Sequence, residues 1–472
     1  MRFFGQVFVV FGLTVVLPLS ALADTGSLEK RLDELEQQVS ILKRQIENNK
    51  EDTKAQATTS PVITANAKDG FSIKSPEGNF NLKIGGYTQV EARQFATNDK
   101  VNLGEASSIL ARRVRLIIQG TVAHDFDFYL QPDFGYNNTY SDSAGTISAT
   151  PGAYSVALQD AWIDWKYFPD FTIKAGKFKI PFDLENLQDT RYTSFPELGL
   201  TGNLSPQRDI GVQVGGNLYW DWITYAAGIF DGAADKENGY GGYNTGGNSN
   251  SRNGAGRIFI TPFKDTNIEL LQGLGIGYAA SYGKEKGTDL PTFISPGQAP
   301  VFAYNTGVSA DGPQLRTEPQ AYFYYKSLGI LGEKVDDYQT LKLLNTKDKI
   351  DNKAFSVEAS YVLTGEDASY TGVVPRHEFN LSKGDWGAFE LVGRYGQLKL
   401  DQSVFDDGLA SLNSWIDSER AWGLGLNWYL NRNVKLAAGF EQTKFNRGAA
   451  NGIRTDDRKT ENLFTGLAQL SF

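Results

Sequence analysis

The chain has 472 residues, with 46 basic against 55 acidic ones and a formal net charge of −9. It has no cysteine and two histidines, which excludes a disulfide scaffold and thiolate metal sites and leaves a His-based catalyst or metal centre little to work with. Its mean hydropathy of −0.35 reads, taken alone, as a soluble protein, but 29 Phe, 22 Tyr and 8 Trp with Met1 as the one methionine are an unusual balance for one.

In chain order, "MRFFGQVFVVFGLTVVLPLSALA" has Arg2 near its start, an apolar run from Val7 to Leu19 and Ala21-Leu22-Ala23 as a small-x-small cleavage site. This pattern predicts a secretory signal peptide over residues 1–23. No later stretch approaches the ~20 consecutive apolar residues of a membrane helix. Residues 24–50 follow, where Leu28, Leu32, Leu35, Val39, Leu42 and Ile46 repeat at spacings of four and three. That is a heptad seam, and it predicts a short coiled coil joining protomers. One amphipathic helix packed on the main domain is the alternative. Residues 51–78 are polar and carry Pro61, and they read as a linker.

From 79 to 472 the pattern changes to short alternating segments. "NFNLKIGGYTQVEAR" sets Phe80, Leu82, Ile84 and Val90 against Lys83, Gln89, Glu91 and Arg93, and "ARRVRLIIQGTV" sets Val114, Leu116 and Ile118 against Arg113, Arg115 and Gln119. "ERAWGLGLNWYL" and the final "NLFTGLAQLSF" do the same with Trp422, Leu424, Leu426 and Phe464, Leu470, Phe472. Alternation predicts strands with one apolar and one polar face. Tight, aromatic-flanked connections such as "YWDW" alternate with long polar ones near 231–256, 284–318, 366–386 and 446–460. Short turns at one end, long loops at the other and rings near the turns predict an all-β, antiparallel transmembrane barrel in the outer membrane, in contact with its lipid. An even strand number that fits the length is sixteen, and a barrel of that size leaves an aqueous lumen. The polar rows put Lys83, Arg93, Arg113, Arg115, Arg257, Arg394 and Lys435 toward that lumen, with Arg112 at a strand's end.

The order of pieces resembles the phosphate-selective porin family, the outer-membrane porins called O and P. The likeness rests on the heptad segment, "ILARRVRLIIQG" (109–120), "LQDAWIDWKYFPDFTIKAGKFKIPFDLENL" (158–187), "RDIGVQVGGNL" (208–218), "GAFELVGRYGQL" (387–398) and "LGLNWYLNRNVKL" (424–436). The resemblance implies a sixteen-stranded homotrimeric porin with a basic constriction that passes anions, phosphate or related oxyanions among them. It also implies an inward-folding loop over roughly 181–208 that carries Arg191 and Arg208; Lys177 and Lys179, which oppose Phe178 and Ile180 in the alternation, are expected to face the lumen near its start.

A pore needs a field of one sign and donors that replace part of an ion's hydration, not a nucleophile. Arginine can fork onto phosphate oxygens, whereas lysine is a mobile point charge. No enzyme, cofactor, metal or nucleic acid is implied. Each cation can instead pair with a carboxylate, Glu91, Asp125, Asp127, Asp160 and Asp164 being available. Two other functions therefore stand beside an anion channel: a general diffusion porin with neutralised arginines, and an envelope tether whose periplasmic coiled coil does the work.

Overall fold

The computed structural model describes residues 25–66, 70–96, 107–143, 146–154, 156–168, 170–232, 252–288, 290–448 and 458–472. The expected signal peptide lies outside these residues. The chain divides into two compact units at residues 61 and 62. The first contains helix α1 (Thr25–Thr59). Leu32, Leu35, Val39, Leu42 and Ile46 are each about half exposed or more, so the heptad seam is open along these residues. No described helix is long and apolar enough to cross a membrane. The helix runs past residue 50 because "EDTKAQATT" contains neither Gly nor Pro, and it stops just before Pro61.

The second unit begins with a hairpin, β1 (Val62–Asn66) and β2 (Gly70–Lys74), where a linker is expected from the sequence; two five-residue strands are too short to show alternation. The next strands are β3 (Asn81–Phe95), β4 (Ser108–Val122), β5 (Phe126–Asp133), β6 (Tyr136–Ser143), β7 (Thr146–Tyr154), β8 (Ala157–Phe168), β9 (Phe171–Lys179), β10 (Arg208–Leu218), β11 (Ile223–Phe230) and β12 (Asn253–Ile260). They are followed by β13 (Leu274–Gly287), β14 (Phe293–Ile294), β15 (Pro300–Phe302), β16 (Val308–Tyr325), β17 (Leu328–Leu343) and β18 (Thr346–Val362). The last are β19 (Ala388–Lys399), β20 (Ile416–Tyr429), β21 (Val434–Arg447) and β22 (Glu461–Ser471).

β6–β7 and β14–β15 are hairpins within loops. The sixteen strands β3–β5, β8–β13 and β16–β22 pair antiparallel in sequence order, and β22 returns to β3 from Leu463↔Phe95 to Ser471↔Tyr87. The barrel is closed, so its backbone groups are satisfied without water, as a bilayer requires. β2 pairs with Ile84–Asn81 of β3, beyond the end of β22 on the same edge. There Phe472 exchanges two backbone hydrogen bonds of 3.0 Å with Gly86, and a Cβ on Gly70 would meet its carbonyl carbon at 3.7 Å.

The alternation sorts as the sequence predicts. Ile84, Ile163, Val212, Ile258, Leu424 and Leu470 are exposed on the outward rows, and Gln89, Glu91, Glu390 and Glu441 are buried on the inward ones. Connections at 123–125, 219–222, 326–327 and 430–433 are tight; Ala123, His124, Tyr219, Trp220 and Asp221 accept positive φ there. Rings gather at this end, with Trp428 stacked on Phe389 at 5.4 Å and Tyr167 edge-on to Phe168 at 5.0 Å. His124 is an exposed turn residue beside Asp125.

Three expectations change. The 363–387 connection, long and polar, lies at the short-turn end, between the ends of β18 and β19, and the tight turn after β17 lies at the long-loop end. The connection expected over 284–318 is shortened by strand at both ends, since β13 runs to Gly287 and β16 begins at Val308. The lumen is also not simply aqueous. Segments 180–207 and 288–307 fold into it and bring Phe182, Leu200, Leu204, Phe293 and Phe302 into one apolar cluster with wall residues such as Val335 and Leu398.

Candidate functional site

Segment 180–207 leaves β9 and crosses the lumen. Its single turn α2 (Leu184–Leu187) is capped by Asp183, whose carboxylate accepts from the Asn186 N–H at 2.6 Å. The Leu184 and Glu185 N–H groups donate to Glu333 on β17 at 3.0 and 3.2 Å, and Thr201 Oγ1 donates to the same carboxylate at 2.7 Å. Further along, Lys435 Nζ donates to the carbonyls of Arg191 and Thr193 at 3.2 and 3.0 Å. One carboxylate on β17 and a lysine on β21 thus hold groups of a loop with little ladder of its own.

On the opposite wall the ladder between β3 and β4 shifts register between Gln89↔Arg113 and Val90↔Ala111. Arg112 is the extra residue of a β-bulge, and the bulge turns two successive side chains inward. Arg112 is therefore inside the strand and not at its end, and Arg112, Arg113 and Arg115 are 5%, 6% and 8% exposed. They do not point into open water. Glu197 of the inward loop receives Arg112 Nε at 2.5 Å and Nη2 at 3.0 Å, Arg113 Nη2 at 3.1 Å and Arg93 Nη2 at 2.9 Å. Arg93 also pairs with Glu91 at 2.7 Å. Arg115 pairs with Asp133 at 2.6 Å and donates to Tyr87 Oη at 2.6 Å. Burial alone would push the Glu197 carboxyl up, but the guanidinium groups of Arg112, Arg113 and Arg93 overcome it and bring it down to about 2.

Arg394 belongs to the same fastening. It pairs with Glu441 at 2.7 Å and Glu185 at 3.3 Å, and donates to the Glu197 carbonyl at 2.7 Å. Arg191 pairs within the loop with Asp189 at 2.6 Å.

Between the loop and the wall of β3–β5 and β8–β12 lies an opening of about 330 Å³. Arg115, Lys174, Lys179, Arg208 and Arg257 line it, against the carboxylates of Asp160 and Asp189. Arg208 pairs with Asp160 at 3.1 Å, and Lys179 Nζ donates to the carbonyls of Asn186 and Gln188. Arg257 and Lys174 form no ion pair within 4 Å among the described residues. Arg257 donates to Gln320 at 2.8 Å and lies over the Phe259 ring, while Lys174 Nζ lies 4.4 Å over Trp162.

The predicted cations thus separate into groups. Arg93, Arg112, Arg113 and Arg394 fasten the loop, and Arg115, Lys179, Arg208 and Arg257 reach the opening. Lys83 lies on the lumen row at the short-turn end, away from both. Lys177 departs from its expected place: its ladder partners are Ala161 and Ile210, and Ile210 is 52% exposed on the outward row. Sequence reasoning missed Glu197, Asp133 and Lys174. Only Lys174 left a trace, as a polar residue two positions before Gly176 in the "TIKAGKF" alternation.

The sequence model of the family described as "Phosphate-selective porin O and P" matches residues 82–472. The chain belongs to that family. Porin O of Pseudomonas aeruginosa is 24% identical over 415 residues, which is 81% of this chain and 87% of that protein. Among solved structures, the outer membrane channel DcaP of Acinetobacter baumannii superposes with a TM-score of 0.52 at 10% identity, covering 84% of this chain and 99% of that one; this likeness shows the fold. As a phosphate-selective porin O and P family member the protein is an outer-membrane channel, not an enzyme, and side-chain chemistry in its lumen is recognition without bond making.

Proposed function

We propose that this porin passes anions, phosphate or related oxyanions among them, through the opening beside the inward loop. The observation that carries the reading is the charge of that opening, where five basic side chains face two carboxylates. Two of the five, Lys174 and Arg257, rest on aromatic faces, which hold a cation without neutralising it. Fixed positive charge at a narrow point in a low-dielectric wall raises the local anion concentration. On the loop's other side Arg112 and Arg113 line a second, smaller space of about 80 Å³, and with Arg93 they contribute one surplus positive charge after Glu91 and Glu197 are set against them. The open heptad seam of α1 supports a homotrimer joined by a periplasmic coiled coil.

A second reading, a general diffusion porin, is favoured by one fact: every arginine at the loop fastening already has a carboxylate within 3.3 Å. The reversal potential of the purified protein in a planar bilayer under a KCl gradient separates the two. An anion-selective potential that falls toward zero in an Arg257→Gln/Lys174→Gln double variant supports the first reading. A weakly selective or cation-selective channel that ignores added phosphate supports the second. Loss of trimers on removal of residues 24–60 tests the coiled coil.

A further inference from the structure

The opening is built of more than cations. Tyr129 on β5 and Trp162 on β8 share the wall and stack with ring centroids 5.3 Å apart and planes 3° from parallel. Tyr87, Phe178, Pro181 and Leu187 also line it among the charged groups. Next to it, Phe259 under the Arg257 guanidinium packs on Tyr322 at 4.9 Å, and Tyr322 stacks on Tyr370 of the 363–387 segment at 5.6 Å. The stacked pair occupies inward rows: Tyr129 alternates with the outward Leu130, and Trp162 with the outward Ile163. An aqueous passage for a bare oxyanion gains nothing from them, because a strongly hydrated ion is stabilised by donors and water and not by apolar faces. A planar apolar body gains from ring contact and from leaving water. The space also fits such a body, since pockets for small organic ligands begin at roughly 300 Å³.

We propose that this opening is a subsite for organic anions with a planar apolar body, aryl phosphates and aryl carboxylates, whose ring lies along Tyr129, Trp162 and Phe178 while the anionic group meets Lys174, Arg208 and Arg257. The proposal rests on the anion-channel reading and names its substrate class. Lys174 already bridges the two kinds of surface, with its ammonium on the Trp162 face and no ion pair within 4 Å among the described residues, so an incoming anion finds a cation at the edge of the ring platform. Arg257 does the same on Phe259. Methyl phosphate and phenyl phosphate, monoesters of matching charge, differ in the one respect the subsite reads.

The test is block of KCl current through the full-length protein in planar bilayers, with phenyl phosphate, methyl phosphate and inorganic phosphate added in turn. Phenyl phosphate is expected to reach half-block at a concentration about tenfold below that of methyl phosphate, in keeping with the ring–ring preference. The ratio collapses toward one in Trp162→Leu and Tyr129→Leu and survives in Trp162→Phe, which keeps a ring. Trp220→Leu, on an exposed turn, leaves the ratio as it was and controls for general loss of aromatics. Equal block by the two esters in a channel whose reversal potential is anion-selective overturns the aryl subsite and leaves the parent reading standing. A cation-selective potential overturns both. Should the leucine variants fail to fold, the ratio in the wild-type protein and in Trp162→Phe still decides.

Discussion

Glu197→Gln is the substitution that most directly interrogates the constriction. The carboxylate stands among three guanidinium groups at 2.5–3.1 Å, and the amide keeps its shape and one acceptor while removing its charge. The fastening goes from one surplus positive charge to two, by the same setting of Arg93, Arg112 and Arg113 against their two carboxylates. For an ion passing roughly 8 Å away, one added charge at an effective dielectric between about 20 and 80 is worth about 0.5–2 kcal/mol. That raises the occupancy of chloride about 2-fold to 30-fold and lowers that of potassium by the same factor, so the chloride-over-potassium preference rises by about the square of it. Salt screens it: the Debye length is about 10 Å at 0.1 M and about 3 Å at 1 M, so the effect belongs to dilute KCl and shrinks in concentrated KCl. Reversal potentials across a fixed KCl ratio at two absolute concentrations measure it. An unchanged or reduced anion preference at 0.1 M would refute the claim that the arginine fastening borders the ion path.

Arg394→Met leaves Glu185 and Glu441 buried without their cation, and breaking a buried pair costs about 3–5 kcal/mol; the inward loop is expected to become protease-sensitive between 181 and 207 while the barrel itself stays resistant. Gly86→Ala drives a Cβ into the Arg115 carbonyl oxygen, and the yield of folded, heat-modifiable barrel on gels is expected to drop sharply. The pH dependence of the loop follows from Glu197. Its carboxyl is depressed in the folded state, so its stabilisation is complete above the ordinary carboxyl range and is lost as pH falls from about 4.5 to about 2. Protease resistance of the loop should therefore hold at pH 5 and fail near pH 2, with Glu197→Gln lacking that step.

The barrel was legible because its rows are set by period two, and neither twist nor closure disturbs that count. Val114, Leu116 and Ile118 face outward as their spacing implies. Where a bulge intervenes the count fails, which is why Arg112 is inside the lumen although it breaks strict alternation with Arg113. The ends were less legible. Segment 363–387 has the length and polarity of a loop on the far side, and only strand pairing reveals that it belongs with the tight turns. Lys177 opposes the apolar Phe178 and Ile180 in the sequence, which points it inward, yet its rung is shared with Ile210. The partner of the arginines was hidden for a different reason. Glu197 is 84 and 85 residues from Arg113 and Arg112, on a loop with no periodicity, and nothing local marks one glutamate among many as the counter-charge.

The meeting of β2, Phe472 and β3 has a mechanical consequence. Strands of a barrel can slide in steps along one another, and each step in a porin would carry inward groups past their partners. β22 and β2 lie end to end on one edge of β3, with Gly86 bonded to Phe472 and Gly70 against its carbonyl carbon. A slip of β22 toward the short-turn end would drive Phe472 into the hairpin. The hairpin therefore works as a register stop, and by fixing the seam in that direction it keeps Thr465 and Gln469 of β22 level with Arg93 and Gln89 of β3.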